Sequence, residues 1–104
     1  MRRGEVWWAE LQAPAGRRPV VLLSRNEAYA VRELVTIAPL TTRARRIPTE
    51  VALGPLDGLP KPCVANLDTI TTIPKRTLTA RIARLTPQKR AAVDAALKFA
   101  LGLR

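Results

Sequence analysis

Residues 17–24 read RRPVVLLS. An apolar run of this length, bounded by a proline and by polar residues, marks a strand buried on both faces. Pro19 suits the first position of that strand, where its missing N–H removes no ladder bond. Upstream, GEVWWAEL (4–11) sets Val6, Trp8 and, less regularly, Leu11 against Glu5, Trp7 and Glu10. Its aromatic and β-branched content also predicts a strand. QAPAGR (12–17) is a loop containing Pro and Gly.

Downstream, RNEAYAVRE (25–33) is polar and fits a loop or one helical turn. LVTIAPL (34–40) alternates as a strand with Thr41 and Thr42 at its end, and a basic stretch carrying Arg43, Arg45 and Arg46 follows. TEVAL (49–53) is a short strand, GPLDGLPKP (54–62) is turn-rich, and CVANL (63–67) is a further buried strand that DTITTI (68–73) continues or partners. After a helical turn at 75–78, ARIARL (80–85) carries a weaker strand pattern. Thr86 as N-cap with Pro87 at the first helical position then starts a helix over 87–101. Ala92, Val93, Ala96, Leu97 and Ala100 form its apolar stripe. Arg90, Asp94 and Lys98 are spaced to pair along the solvent side, and Gly102 closes the helix. The expected architecture is mainly β with a C-terminal α-helix: a small, strongly bent sheet or barrel of short strands with the helix packed across it, in a single domain spanning 1–104.

The 104 residues carry 18 Lys+Arg, 14 of them Arg, against 8 Asp+Glu, for a formal charge of +10. There is no His, and Cys63 is the one cysteine. A His-dependent triad, a zinc finger, a Cys-rich metal site and an internal disulfide framework are all excluded. No apolar run approaches the roughly 20 residues that span a bilayer, and MRRGEVWW lacks a signal-peptide core, so a cytoplasmic protein with a reduced thiol is expected. At 47% hydrophobic residues the chain is too apolar for a disordered basic tail. A folded domain with this excess charge seeks a polyanion, nucleic acid first and an acidic protein partner second. An anionic membrane is disfavoured, because no helix combines many Lys and Arg with a bulky apolar face.

RRGEVWWAEL at the N-terminus, GRRPVVLLS, a strand ending APLTT, ANLDTITTIPKRTL and RIARLTPQKRAAVDAALKFALGL, in this order, resemble the MazF/PemK (Kid-like) toxin family. The resemblance runs from about Arg3 to Leu103. It implies an SH3-like β-barrel of the CcdB/PemK plasmid-maintenance type, assembled as a homodimer. It also implies a ribosome-independent, metal-independent endoribonuclease that cuts single-stranded RNA and needs no cofactor. A cognate antitoxin with an acidic disordered tail would block the RNA groove.

Metal-free RNA cleavage uses the neighbouring 2′-hydroxyl as nucleophile and leaves a 2′,3′-cyclic phosphate and a 5′-hydroxyl. The site must help remove the 2′-OH proton, stabilise the phosphorane and protonate the leaving oxygen. Arg18 matches the family's catalytic arginine before proline, and its fork suits a phosphoryl group whose charge grows. Pro19 restricts the backbone at Arg18 and so helps to aim it. Thr41 matches the active-site threonine, a hydroxyl donor to phosphoryl oxygen. Asp68 falls at an acidic position that would serve as base, whereas Asn66 stands where some relatives place a second arginine. Arg17, Thr42, Arg43, Arg45 and Arg46 are expected to contact the RNA backbone. The bland alternatives are an Arg18 ion pair with Glu5 or Glu10, a strand-end threonine, a turn aspartate and a solvated basic loop. Trp7 and Trp8 must face opposite sides of one strand, so one belongs to the core and the other is a stacking platform or part of the partner groove. Cys63 reads as a small buried hydrophobe. Two functional alternatives stand: a CcdB-like toxin that binds a protein target such as gyrase, and a non-catalytic RNA-binding barrel.

Overall fold

The computed structural model describes residues 1–104. Its strands are β1 (Glu5–Glu10), β2 (Arg17–Leu22), β3 (Leu34–Thr41), β4 (Glu50–Leu53), β5 (Cys63–Asn66), β6 (Thr71–Pro74) and β7 (Leu78–Arg84), with helices α1 (Ala28–Val31) and α2 (Pro87–Leu101). The sheet runs β4-β5-β3-β2-β1-β7, and β6 lies alongside β3. All of these pairings are antiparallel.

β3 is where the sheet changes direction. Leu34–Ile37 pair with β6, whereas Leu40 and Thr41 pair with β5. A 3-10 turn at Leu67–Thr69 carries the chain from β5 to β6. Pro39 falls between the two ladders, so its missing N–H is not required by either. β1 also bends, through two register shifts against β7. The result is a half-barrel with β4 and β7 at its hydrogen-bonding ends. The loop after β4 meets β7 at Gly58, where φ is +91° and an added Cβ would lie 3.0 Å from Ala83 Cβ. Only glycine fits there without strain.

Val20, Val21 and Leu22 have no exposed surface, as the opening stretch predicts. Alternation sends them to opposite faces. Val21 joins Val6, Ala38, Leu40 and Leu85 beneath Val93 and Ala96 of α2. Val20 and Leu22 join Ala9, Tyr29, Val35, Ile37 and Ile73 on the other face. Burying such aliphatic side chains contributes about 1.5–3 kcal/mol each, so this short run holds both cores to one strand.

The strand begins earlier than expected. Pro19 is the third residue of β2, because β2 pairs with β1 from Arg17 onward but with β3 only from Val20↔Pro39. Pro19 therefore sits where β2 and β3 part, and no N–H is needed on that side.

α2 starts and ends as its sequence predicts: the Thr86 hydroxyl accepts from the Lys89 N–H at 3.2 Å, and Gly102 closes it at φ +69°. The expected pairing along its solvent side is replaced by tertiary contacts. Asp94 pairs with Arg3 at 2.6 Å, and Arg90 donates to the Leu85 carbonyl at 2.7 Å. These contacts tie the helix to the N-terminal segment and to the chain just past β7.

Glu5 is buried and accepts from the Trp7 indole, the Arg2 N–H and Arg81. Burial pushes its carboxyl up, yet these donors together outweigh burial and hold it below its ordinary value. Glu10 pairs with Arg17. Both carboxylates that could have held Arg18 are thus engaged elsewhere.

Candidate active site

Two hollows flank the place where β2 and β3 part. The first, about 330 Å³, is lined by Trp8, Arg17, Pro19, Leu40, Thr42, Cys63 and the 59–61 segment. The second, about 520 Å³, is lined by Leu11, Ala15, Ile37, Pro39, Arg43, Arg45, Asn66, Thr69, Thr71 and Ile73. Arg18 and Thr41 line both, and no other residue does. The bonded register Val20↔Pro39, continued by two residues, sets Arg18 across from Thr41. The two side chains form a ridge between the hollows.

The chemistry of the ridge follows from its partners. Arg18 enters no ion pair, so its five N–H donors remain free for a ligand. The Thr41 hydroxyl accepts from the Arg43 N–H at 3.2 Å, which leaves its own proton to donate outward. Five cations, Arg17, Arg18, Arg43, Arg45 and Lys61, line the two hollows, and no carboxylate does. Such a field draws anions and strengthens each donor that meets them.

The remaining expected residues divide. Arg17 lies over the Trp8 ring, 4.3 Å from its centroid, and contacts Glu10 at 3.4 Å. Thr42 lines the first hollow, and Arg43 and Arg45 line the second. Arg46 lines neither. Its positive φ of 57° turns the chain, and its N–H, like that of Arg45, donates to one Glu50 oxygen. Asp68 is exposed and outside both linings; its carboxylate accepts from the Thr49 hydroxyl at 2.6 Å, and its N–H donates to Asn66. Asp68 therefore shares neither lining with Arg18 and Thr41; it sits in the 3-10 turn that follows Asn66.

The tryptophans separate as strand geometry requires. Trp7 packs against the core that contains Val20, while Trp8 lines the first hollow. Cys63 is half-buried in that hollow rather than sealed in the core. Burial and the nearby Asp57 charge push its thiol up, against the pull of Lys61. Lys61 was hidden in a segment whose three prolines and two glycines signal only turns, although a cation held between Pro60 and Pro62 is a rigidly presented one. Asn66, Thr69 and Thr71 carry no cleavage motif and emerge from placement alone. No three His, Cys, Asp or Glu side chains gather to form a metal-binding group.

The chain belongs to the family of PemK-like, MazF-like toxins of type II toxin–antitoxin systems, whose pattern it matches over residues 2–101. It is 40% identical over 100 residues to the probable endoribonuclease MazF5 of Mycobacterium tuberculosis, covering 95% of this chain and 91% of that protein. Among solved structures, it is similar to the toxin MazF-mt6 of Mycobacterium tuberculosis, with a TM-score of 0.88, 32% identity and coverage of 96% and 98% of the two chains. It is equally similar in shape to a mycobacterial endoribonuclease in complex with its cognate antitoxin, with a TM-score of 0.88, 34% identity and coverage of 100% and 97%. The mainly β fold with a C-terminal helix is the fold of these toxins. No helix is long and apolar enough to cross a membrane.

Proposed function

We propose that this chain is the RNA-cleaving toxin of a type II toxin–antitoxin pair: a metal-independent, ribosome-independent endoribonuclease that cuts single-stranded RNA at short sequences. The observation that carries this reading is the ridge, a free arginine and a donating threonine between two cationic hollows. A phosphate on the ridge places its flanking nucleotides in the hollows. The 2′-oxygen attacks phosphorus, the bond from phosphorus to the 5′-oxygen breaks, and a 2′,3′-cyclic phosphate and a 5′-hydroxyl result. Arg18 and Thr41 donate to the phosphoryl oxygens as negative charge grows, which is worth most in the transition state. Arg18 is also the acid for the leaving 5′-oxygen, its proton restored through solvent by the one released from the 2′-OH. With no carboxylate lining the site, water accepts the 2′-OH proton in place of Asp68. Charge stabilisation, rather than a strong base, then supplies the acceleration.

Arg17, Thr42, Arg43, Arg45 and Lys61 hold the RNA backbone. A cognate antitoxin whose acidic disordered tail lies over the same cations would exclude RNA from them. The toxin works as a homodimer in the cytoplasm, and exposed Ala92, Ala95 and Phe99 beside β4 offer an apolar contact for a second copy.

The test is to incubate the purified chain with single-stranded RNA in excess EDTA and examine the fragment ends. Discrete fragments with cyclic-phosphate and 5′-hydroxyl ends are expected. Intact but retarded RNA would instead indicate a binding barrel, and RNA neither cut nor retarded would favour a CcdB-like protein-directed toxin.

A further inference from the structure

Resting on the nuclease reading, we propose that the second hollow is a base subsite for uracil and that Asn66 selects it. The Asn66 side-chain oxygen accepts from the Asp68 N–H at 2.9 Å. A backbone N–H can meet only an acceptor, so this bond fixes the orientation of the amide and leaves its amino group as the free end. That amino group has no partner within the chain. The register Thr41↔Val64 puts Asn66 on the same face of the sheet as Thr41, and Ile37↔Thr71 puts Thr71 there as well.

The Thr69 and Thr71 hydroxyls in the hollow have the opposite polarity. Thr69 donates to the Asn66 carbonyl at 3.4 Å and Thr71 to the Thr69 carbonyl at 3.1 Å, so each offers an acceptor oxygen. Arg18, Arg43 and Arg45, whose forks hold the phosphates on either side, keep this hollow cationic. The ligand that fits is a flat group with acceptors at its edge, one ring N–H between them and no amine to face the arginines. Among the four RNA bases, uracil alone has two carbonyls and no exocyclic amine. Cytosine presents its amine where uracil presents a carbonyl, and that amine would meet the Asn66 amino group donor to donor.

The experiment uses the whole chain. Long single-stranded RNA is cleaved and the fragment ends are sequenced; oligonucleotides spanning one mapped site are then compared with uracil or cytosine at the position flanking the cut. The parent chain is expected to cut beside uracil, and cytosine there lowers kcat/KM by about tenfold or more, the scale of one missing hydrogen bond to a base edge. Asn66→Asp keeps the bond from the Asp68 N–H but replaces the free donor with an acceptor, so the uracil-to-cytosine ratio narrows or inverts. Asn66→Ala brings the ratio towards one, and serves as the second variant if Asn66→Asp melts early. Equal cleavage of the two oligonucleotides by the parent chain, or a uracil preference unchanged in either folded variant, overturns the assignment while leaving the nuclease intact. A parent chain that cuts no RNA removes both.

Discussion

The two hollows share Arg18 and Thr41 and differ in nearly everything else. The first has an aromatic floor, Trp8 with Arg17 laid over it, and a wall from the proline-rich 54–62 segment. The second is walled by an amide and two hydroxyls whose hydrogen-bond directions are set by neighbouring backbone. An aromatic face accepts any base, because every base has a π surface, whereas fixed donors and acceptors discriminate among base edges. In the proposed reading the shared ridge meets phosphate, which is the same at every step of an RNA chain. The difference in lining teaches that the proposed chemistry, grip and base choice fall on separate residues, and substitutions can test that separation.

The largest effect belongs to the ridge. Arg18→Ala should lower kcat/KM by about 10²–10³-fold on every RNA sequence, the cost of removing one donor from a developing oxyanion. Its melting temperature should stay near that of the parent, since Arg18 has no ion pair to lose. A deficit confined to one class of RNA sequence would contradict a shared ridge. Trp8→Ala comes next: stacking is worth about 1–3 kcal/mol per base, so RNA affinity, measured with an uncleavable 2′-deoxy oligonucleotide, should fall about tenfold or more with the uracil preference unaltered. Loss of that preference would merge the two hollows into one. The smallest effect is electrostatic. Removing Arg43 and Arg45 together should flatten the dependence of log K on log salt by about 0.7 for each phosphate no longer neutralised, without changing the mapped cleavage sequence.

Much of this was legible along the chain. VVLL needed no partner to announce a doubly buried strand, and Thr86, Pro87 and Gly102 bounded α2 through local backbone chemistry. Arg18 and Thr41 were singled out through family resemblance alone, since an arginine before a proline and a strand-end threonine are ordinary by themselves; what the structure adds is that they lie together. The placements that the sequence did not reveal have a common cause. Arg90 and Asp94 were spaced to pair along one helix, yet partners distant in sequence took them. Asp68 and Asn66 lie two residues apart, and a single 3-10 turn decides that the amide lines the hollow while the carboxylate does not. Arg45 and Arg46 read as equals, but only Arg45 lines the second hollow.

The amino-acid sequence by itself determined the cationic excess, the absence of histidine, the strand and helix periodicities and the residues that start and stop α2. These depend on composition and on residues within a few positions of one another. Tertiary structure alone decided which tryptophan lines a hollow, that no carboxylate lines either hollow, and that Arg18 stands unpaired between them. Those outcomes depend on strands far apart in sequence, such as β1 against β7 and β3 against β5, and side chains can compete for partners only after such strands have met.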